Sequence, residues 1–318
     1  MKHFFITVIL IASFISCGNA QPLKVVSSLS AKTTEIIIEG FTQETKIPAE
    51  VSYLPSGTFD ERLNYIYKEN IDCIIGATAE EFYLANRLKM LIPYLAAESY
   101  KIPSKFRTPH GAWTNLWLQQ IAILSNADSL RDLGLYAPDT LTELLNPKLY
   151  NEITLPDYQT GGASYAFITS IWQLKGEDTA LHFAHEFNKQ KIFLTESVND
   201  AITDVLNGQR TIAIVPLRAA LNAENQYPNL YATILQDANR NLLSGVGILR
   251  GTKNLDYAKK FIDYLISDKC IEFCNNNGLP YLWHVKQFSA EQKIKTAIDD
   301  LHWSTLNKNE IIRQWKQA

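Results

Sequence analysis

Long apolar runs are missing from almost all of this sequence. After residue 20 no stretch of 18 consecutive apolar residues occurs, whereas a membrane-spanning helix needs about 20. The chain beyond that point is expected to be soluble. Charge of one sign is missing too. Thirty lysines and arginines stand against 33 aspartates and glutamates, a formal net charge of −3. That balance leaves no basic footprint for a nucleic-acid partner. Cysteine is scarce, at four residues. Beyond Cys17 an odd set remains, Cys73, Cys270 and Cys274, which is not a complete disulfide framework. Cys73 lies in an apolar run and reads as a small hydrophobe. Cys270 and Cys274 are four apart near a helix end. They suit either a disulfide, if the helix loosens there, or two reduced, packed thiols.

Enzyme motifs are absent as well. There is no Gly-x-Ser-x-Gly elbow, no calcium loop and no Gly-Lys-Ser/Thr of a nucleotide-binding loop. His182, His185 and Glu186 spell His-x-x-His-Glu, not the His-Glu-x-x-His of zinc proteases. At helical spacing they read as a solvated face, so no metal site and no cofactor are expected. Binding is a simpler account of this chain than catalysis.

What is present begins at residue 1. Lys2 and His3 precede an apolar stretch, Phe4 to Ile15, broken only by Thr7 and Ser13. Small residues follow, from Ser16 to Ala20. A positive start, a short apolar run and a small-x-small end describe a secretory signal peptide over 1–20, cleaved before Gln21. A buried N-terminal helix is the competing reading, but Lys2 and Cys17–Ala20 are the wrong flanks for one. Cys17 also sits where a lipoprotein signal places its acylated cysteine, although Phe14 stands where such signals usually carry Leu. Release into the periplasm is the first expectation, and a lipid anchor at Cys17 the second.

Short β-like runs then alternate with helical patterns, which argues an α/β fold with largely parallel sheets. Strands are expected at Leu23–Ser27, Pro48–Leu54, Ile71–Ile75 (ended by Gly76), Leu118–Ser125, Ile153–Leu155, Thr211–Val215 and Gly245–Leu249. The clearest helices are Ala31–Thr45, Phe59–Glu69, Thr78–Leu88, Tyr165–Leu174, Ala180–Asn188, Val198–Asn207, Tyr257–Ile266 and Lys308–Gln317. A mature chain of about 300 residues is large for one core and natural for two lobes. The polar, Pro-rich segment Lys101–Asn115 is the expected crossing. Lobe 1 is then 21–100 with 247–282, and lobe 2 is 101–246 with 283–318.

Three strand-to-helix loops carry hydroxyls or glycines. Thr160-Gly161-Gly162-Ala163-Ser164 joins a strand to a helix, so its hydroxyls and accessible amides sit where the helix N-terminus is partially positive. Taken alone, such a turn is more often structural. Ser27, Ser28 and Ser30 occupy the first loop, and Thr78 follows the third strand as a plausible N-cap. Ordinary capping competes at each of these. All three loops follow strand C-terminal ends, where open α/β sheets bind ligands. Arg218 follows the strand Thr211–Val215 and offers a positive fork for phosphate, phosphonate or carboxylate, unless it is simply a surface arginine.

An ordered series of segments resembles the type II periplasmic solute-binding proteins of ATP-driven importers, nearest the branch with ferric-ion, phosphonate and hexose-phosphate binders. The series runs from Leu23-Lys24-Val25-Val26-Ser27-Ser28-Leu29 through Gly76–Phe82, Trp113-Thr114, Leu144–Tyr150, Leu155-Pro156-Asp157 and Thr160–Tyr165. It ends in Gly247–Asn254 with Ala258–Leu265. The resemblance implies a two-lobed periplasmic-binding-protein type II fold with the ligand in a cleft between lobes. It also implies a monomer that delivers its solute to an inner-membrane ABC permease. Iron-binding members carry adjacent tyrosines where this chain has Arg218 and Ala219, and neither residue ligates ferric iron. Phosphate-type members use a Ser/Thr-Gly-Thr-like loop at Thr160–Ser164. The resulting expectation is a small anionic solute, such as a phosphorylated sugar or a phosphonate. Arg218 would supply the charge, the three loops the hydrogen bonds, and Trp113 and Thr114 the remaining wall. A ferric-iron binder using other tyrosines, or an extracytoplasmic enzyme on the same scaffold, are the alternatives.

Overall fold

The computed structural model describes residues 21–55, 61–62, 65–66, 70–160, 162–279, 296–297 and 300–318. The signal-peptide and Cys17 readings, most of the helix expected over Phe59–Glu69, and Gly161 lie outside the described residues. The chain forms two units, Met1–Leu118 with Leu243–Ser289 and Gln119–Leu242 with Ala290–Ala318.

The first change of unit comes after Leu118, later than the Pro-rich segment. Residues 101–113 stay in the first unit because they bury Ile102, Phe106 and Trp113 there. Hydrogen bonds hold them as well. The Gly111 carbonyl accepts from the Tyr94 amide at 2.9 Å, and the Lys101 ammonium donates to the Asp268 carboxylate at 2.9 Å.

The first unit is built on a six-stranded sheet. Its order is Ala49–Tyr53, Leu23–Ser27, Cys73–Thr78, Leu242–Leu249, Leu91–Ile92, with Thr114–Gln119 also pairing with Leu242–Leu249. The first three strands are parallel, as the β-α-β order of the sequence requires. Leu242–Leu249 returns antiparallel beside Cys73–Thr78. Ala31–Thr45 and Leu255–Ile266 meet through Phe41 and Phe261, whose rings lie edge to face at 5.0 Å. The third strand runs through Gly76 instead of stopping there. Gly76 takes a positive φ of 84°, and the pairing continues to Thr78 with a register shift opposite.

The second unit carries a five-stranded sheet in the order Leu230–Ile234, Ile121–Asn126, Ile212–Pro216, Ile153–Pro156, Phe193–Thr195. The last three are mutually parallel, and Ile121–Asn126 is antiparallel to both its neighbours. The single strand expected over Leu118–Ser125 is therefore two, Thr114–Gln119 and Ile121–Asn126, because each pairs within a different sheet. The helix Gly162–Lys175 is buried without interruption from Ala163 to Trp172. A helix apolar on all sides is a core helix, which is why it begins ahead of the amphipathic pattern at Tyr165. It meets the last helix, Lys308–Gln317, through Phe167 against Trp315, and Phe183 and Phe187 of the helix Glu177–Asn188 pack on the same tryptophan.

Cys73, Cys270 and Cys274 are free, buried thiols. Of the two options for Cys270 and Cys274 the structure has the reduced pair, on one face of the helix Asp268–Asn276. The hydrogen bond to Cys274, together with burial, pushes the Cys270 thiol well above its usual range. Among the described residues no helix is long and apolar enough to cross a membrane.

Candidate ligand-binding edges

Parallel strands deliver their following loops to one sheet edge, so each unit has an edge that gathers hydroxyls. In the first unit, Ser27 pairs with Tyr53 and with Ile75 in register. The loops after Leu23–Ser27 and Cys73–Thr78 are therefore neighbours. They touch: the Ser28 amide donates to the Ile75 carbonyl at 3.0 Å, and its hydroxyl reaches the same oxygen at 3.4 Å.

Most of the polar groups at this edge are already engaged. The Thr34 hydroxyl donates to the Ser30 carbonyl at 3.0 Å. Ser27 is therefore the donor in its 2.8 Å contact with Thr34, and it accepts from the Leu29 amide at 3.1 Å. Ser30 caps the helix Ala31–Thr45 by accepting from the Thr33 amide at 3.3 Å. Thr78 forms a capping box with Glu81. Arg62 then holds the second Glu81 oxygen at 2.6 Å. Glu80 and Glu81 place two carboxylates in the first turn of the helix Ala79–Arg87, where they already complement its positive end. Trp113 is 6% exposed. It stacks on Phe82 at 6.0 Å and donates its indole N–H to Asn115 at 2.8 Å. Thr114 is equally buried, and its carbonyl lies against Gly245, where a Cβ would meet it at 2.0 Å. Both residues are packed into the first unit.

The second unit's edge is built differently. Ile153–Pro156 and Ile212–Pro216 are parallel neighbours, with Thr154 beside Ala213. The loop after the first and Arg218 after the second therefore emerge together. Asp157 folds its loop by accepting from the Gln159 amide at 2.9 Å and from the Thr160 hydroxyl through its carbonyl at 2.7 Å. Gly162 is exposed with φ +67°, and a Cβ there would meet nothing within 4 Å. Ala163 and Ser164 turn inward. Ser164 is fully buried, yet its hydroxyl has no hydrogen-bond partner among the described residues. An unsatisfied buried hydroxyl costs about 1–3 kcal/mol, and Ser164 shares that state with Ser125 and Ser304. Arg218 is half-buried in the first turn of the helix Leu217–Gln226.

The two helices starting at this edge, Gly162–Lys175 and Leu217–Gln226, carry no acidic residue in their first turns. Each N-terminus leaves amides without intrahelical partners and a partial positive charge. With Arg218 they make an edge suited to an anion. Among the described residues no three His, Cys, Asp or Glu side chains converge as metal ligands. His185 and Glu186 lie on the exposed side of the helix Glu177–Asn188, where Glu186 pairs with Lys189 at 2.7 Å.

Sequence reading passed over one buried cation, Arg240. It is 1% exposed and donates to the Thr169 hydroxyl at 2.7 Å. Its two-residue strand, Asn239–Arg240, pairs with Thr296–Ala297, far away in the chain. No local pattern announces such a contact.

Comparison with known proteins identifies the family. Residues 70–309 match the bacterial extracellular solute-binding protein family. This chain belongs to that family. The solute-binding protein shares its fold with the periplasmic binding protein AfuA of Actinobacillus pleuropneumoniae, solved with exogenous fructose-6-phosphate bound. The TM-score is 0.81 at 22% identity, over 93% of this chain and 98% of that one. Iron-bound HitA of Pseudomonas aeruginosa gives a TM-score of 0.74 at 15% identity, over 93% and 98%. In sequence, the solute-binding protein is 23% identical to the iron uptake protein A1 of Synechocystis over 94% of this chain and 89% of that one. At these identities the solved structures establish the fold, the mixed α/β fold of the two-lobed type II periplasmic binding proteins.

Proposed function

We propose that this solute-binding protein serves an ABC importer and carries a small anionic solute, such as a phosphorylated sugar or a phosphonate. The observation that carries the reading is the second unit's edge. Two helix N-termini free of acidic residues, Arg218, and the buried unpartnered hydroxyl of Ser164 lie after adjacent parallel strands. Phosphate and carboxylate groups match such donors in charge and in lone-pair number. The Thr160–Ser164 loop supplies hydroxyls and amides, and Arg218 supplies the fixed charge. At the first unit's own edge Ser28 is exposed and its hydroxyl donates to the Ile75 carbonyl, whereas Ser27, Ser30 and Thr78 shape their loops. Export by residues 1–20, residence in the periplasm, a monomeric state and delivery to an inner-membrane permease complete the proposal.

AfuA, with its bound hexose phosphate, supports this reading. HitA and the iron uptake protein A1 favour ferric iron instead. Against iron stand Arg218 and Ala219, which occupy the positions the resemblance assigns to paired tyrosines. Calorimetric titration of the mature protein with fructose 6-phosphate, inorganic phosphate, 2-aminoethylphosphonate and ferric citrate separates the two. Saturable binding of an organic phosphate or phosphonate is expected. Binding of ferric citrate alone, with visible tyrosinate absorbance, would replace the anion reading with the iron one.

A further inference from the structure

Cys270 and Cys274 stand four residues apart on the helix Asp268–Asn276, and both are fully buried. An α-helix holds the Cβ atoms of such a pair about 5–6 Å apart. A disulfide needs them at about 3.5–4.5 Å, so the intact helix does not close one. The two sulfurs nonetheless face each other and share a hydrogen bond. Two thiols on one helix face, held apart but converging, are a ligand pair for an ion set between them.

A third polar group meets the pair. Tyr264, on the helix Leu255–Ile266, is 4% exposed, and its hydroxyl has no hydrogen-bond partner among the described residues. Burial, and then Cys270 and Cys274, raise its phenol, so it keeps its proton and can donate. The ring is held from the other side as well. Phe41 packs on it at 5.8 Å, and a Cβ at Gly40 would fall 2.1 Å from the hydroxyl. Cys270 also lies in the first turn of its helix, where the amides favour a thiolate. Asp268, the acid of that turn, is held by Lys101 at 2.9 Å. The neighbouring Lys269 pairs in the open with Glu44, so the turn that carries Cys270 borders solvent and gives an ion a short way in.

We propose that Cys270 and Cys274 form a binding site for a soft monovalent cation of the copper(I) class. Thiolates select such ions, and two-coordinate binding needs no third ligand. Zinc takes four ligands, and among the described residues no three His, Cys, Asp or Glu side chains converge. On binding, two S–H bonds break, two sulfur–metal bonds form, and both protons leave to solvent. No electron is transferred. The bound pair keeps one negative charge, which a buried site tolerates only with hydrogen bonds. The Tyr264 hydroxyl is the donor still available for it. The site shares no residue with the anion edge, so the two readings stand or fall separately.

Silver(I) is the probe, because it shares the ligand preference and is not oxidised further. The reduced mature protein is titrated in chloride-free buffer against thiosulfate as competing ligand and followed by native mass spectrometry. One silver ion per folded chain is expected, with the same affinity in Cys73→Ala. Cys270→Ala and Cys274→Ala should each lose the ion. Tyr264→Phe should weaken binding about tenfold, the low end for a group that orients a metal ligand. Circular dichroism of each variant verifies folding. A folded protein that takes no silver overturns the inference, as does silver retained in both cysteine variants. A Cys270–Cys274 disulfide found by peptide mapping of the untreated protein overturns it as well. Zinc bound as tightly as silver overturns the soft-cation class.

Discussion

The two sheet edges look alike in sequence and differ in what they do with their hydroxyls. Both follow parallel strands, and both carry Ser, Thr and Gly. In the first unit Ser27, Ser30 and Thr78 are spent on caps and loop bonds, and Glu80 and Glu81 already answer the helix charge. In the second unit the helix starts carry no acid, Ser164 is buried without a partner among the described residues, and Arg218 adds a positive charge. A hydroxyl after a strand is thus a weak sign of ligand binding by itself. The sign strengthens where the helix starts that follow also carry no acid, as they do after Ile153–Pro156 and Ile212–Pro216.

The contrast can be broken most severely at Arg218. Arg218→Ala should weaken the binding of an anionic solute by about 2–5 kcal/mol, if the charge pair is desolvated. Calorimetry reads the loss, and unchanged affinity would remove Arg218 from the site. Glycine exchange compares the two edges without a ligand. At Gly76 a Cβ would come within 2.6 Å of Leu29 at φ +84°, whereas at Gly162 it would meet open space. Gly76→Ala should therefore cost about 2–3 kcal/mol in urea unfolding, the left-handed penalty plus a clash. Gly162→Ala should cost about 1 kcal/mol, the backbone part alone. Equal losses would mean that the first edge is not the tighter one.

The hydroxyls sharpen the comparison further. Thr78→Ala should lower stability by about 1 kcal/mol, since it removes a cap. Ser164→Ala should leave stability unchanged or slightly raised, because it deletes an unsatisfied buried group, while it weakens anion binding. The smallest expected effect is chemical. Burial, and then Asp72, raise the Cys73 thiol, and Cys270 is raised as well. Cys73, Cys270 and Cys274 should resist a thiol reagent in the folded protein, and their reaction should follow unfolding.

Much of the fold was legible because it rests on local periodicity. Leu23–Ser27, Ala31–Thr45 and Lys308–Gln317 have the ends that patterning and capping imply. The departures come from tertiary pairing. Gln120 separates two strands only because their partners lie in different sheets, and residues 101–113 join the first unit because Ile102, Phe106 and Trp113 find a core there. The site was legible as residue types at strand ends. Which hydroxyls are consumed was not, because Ser27's partner is seven residues on and Glu81 is held by Arg62 from another segment. Arg240 had no local signal at all, since its neighbours arrive from Thr169 and from Thr296–Ala297.

Native mass spectrometry of the mature protein, purified without added ligand and compared with Arg218→Ala, tests the anion-binding claim most directly. The account predicts a bound small anion, released as a phosphate- or phosphonate-bearing mass and missing from the variant. A protein that carries ferric iron, or one whose bound anion survives Arg218→Ala at full occupancy, would contradict it.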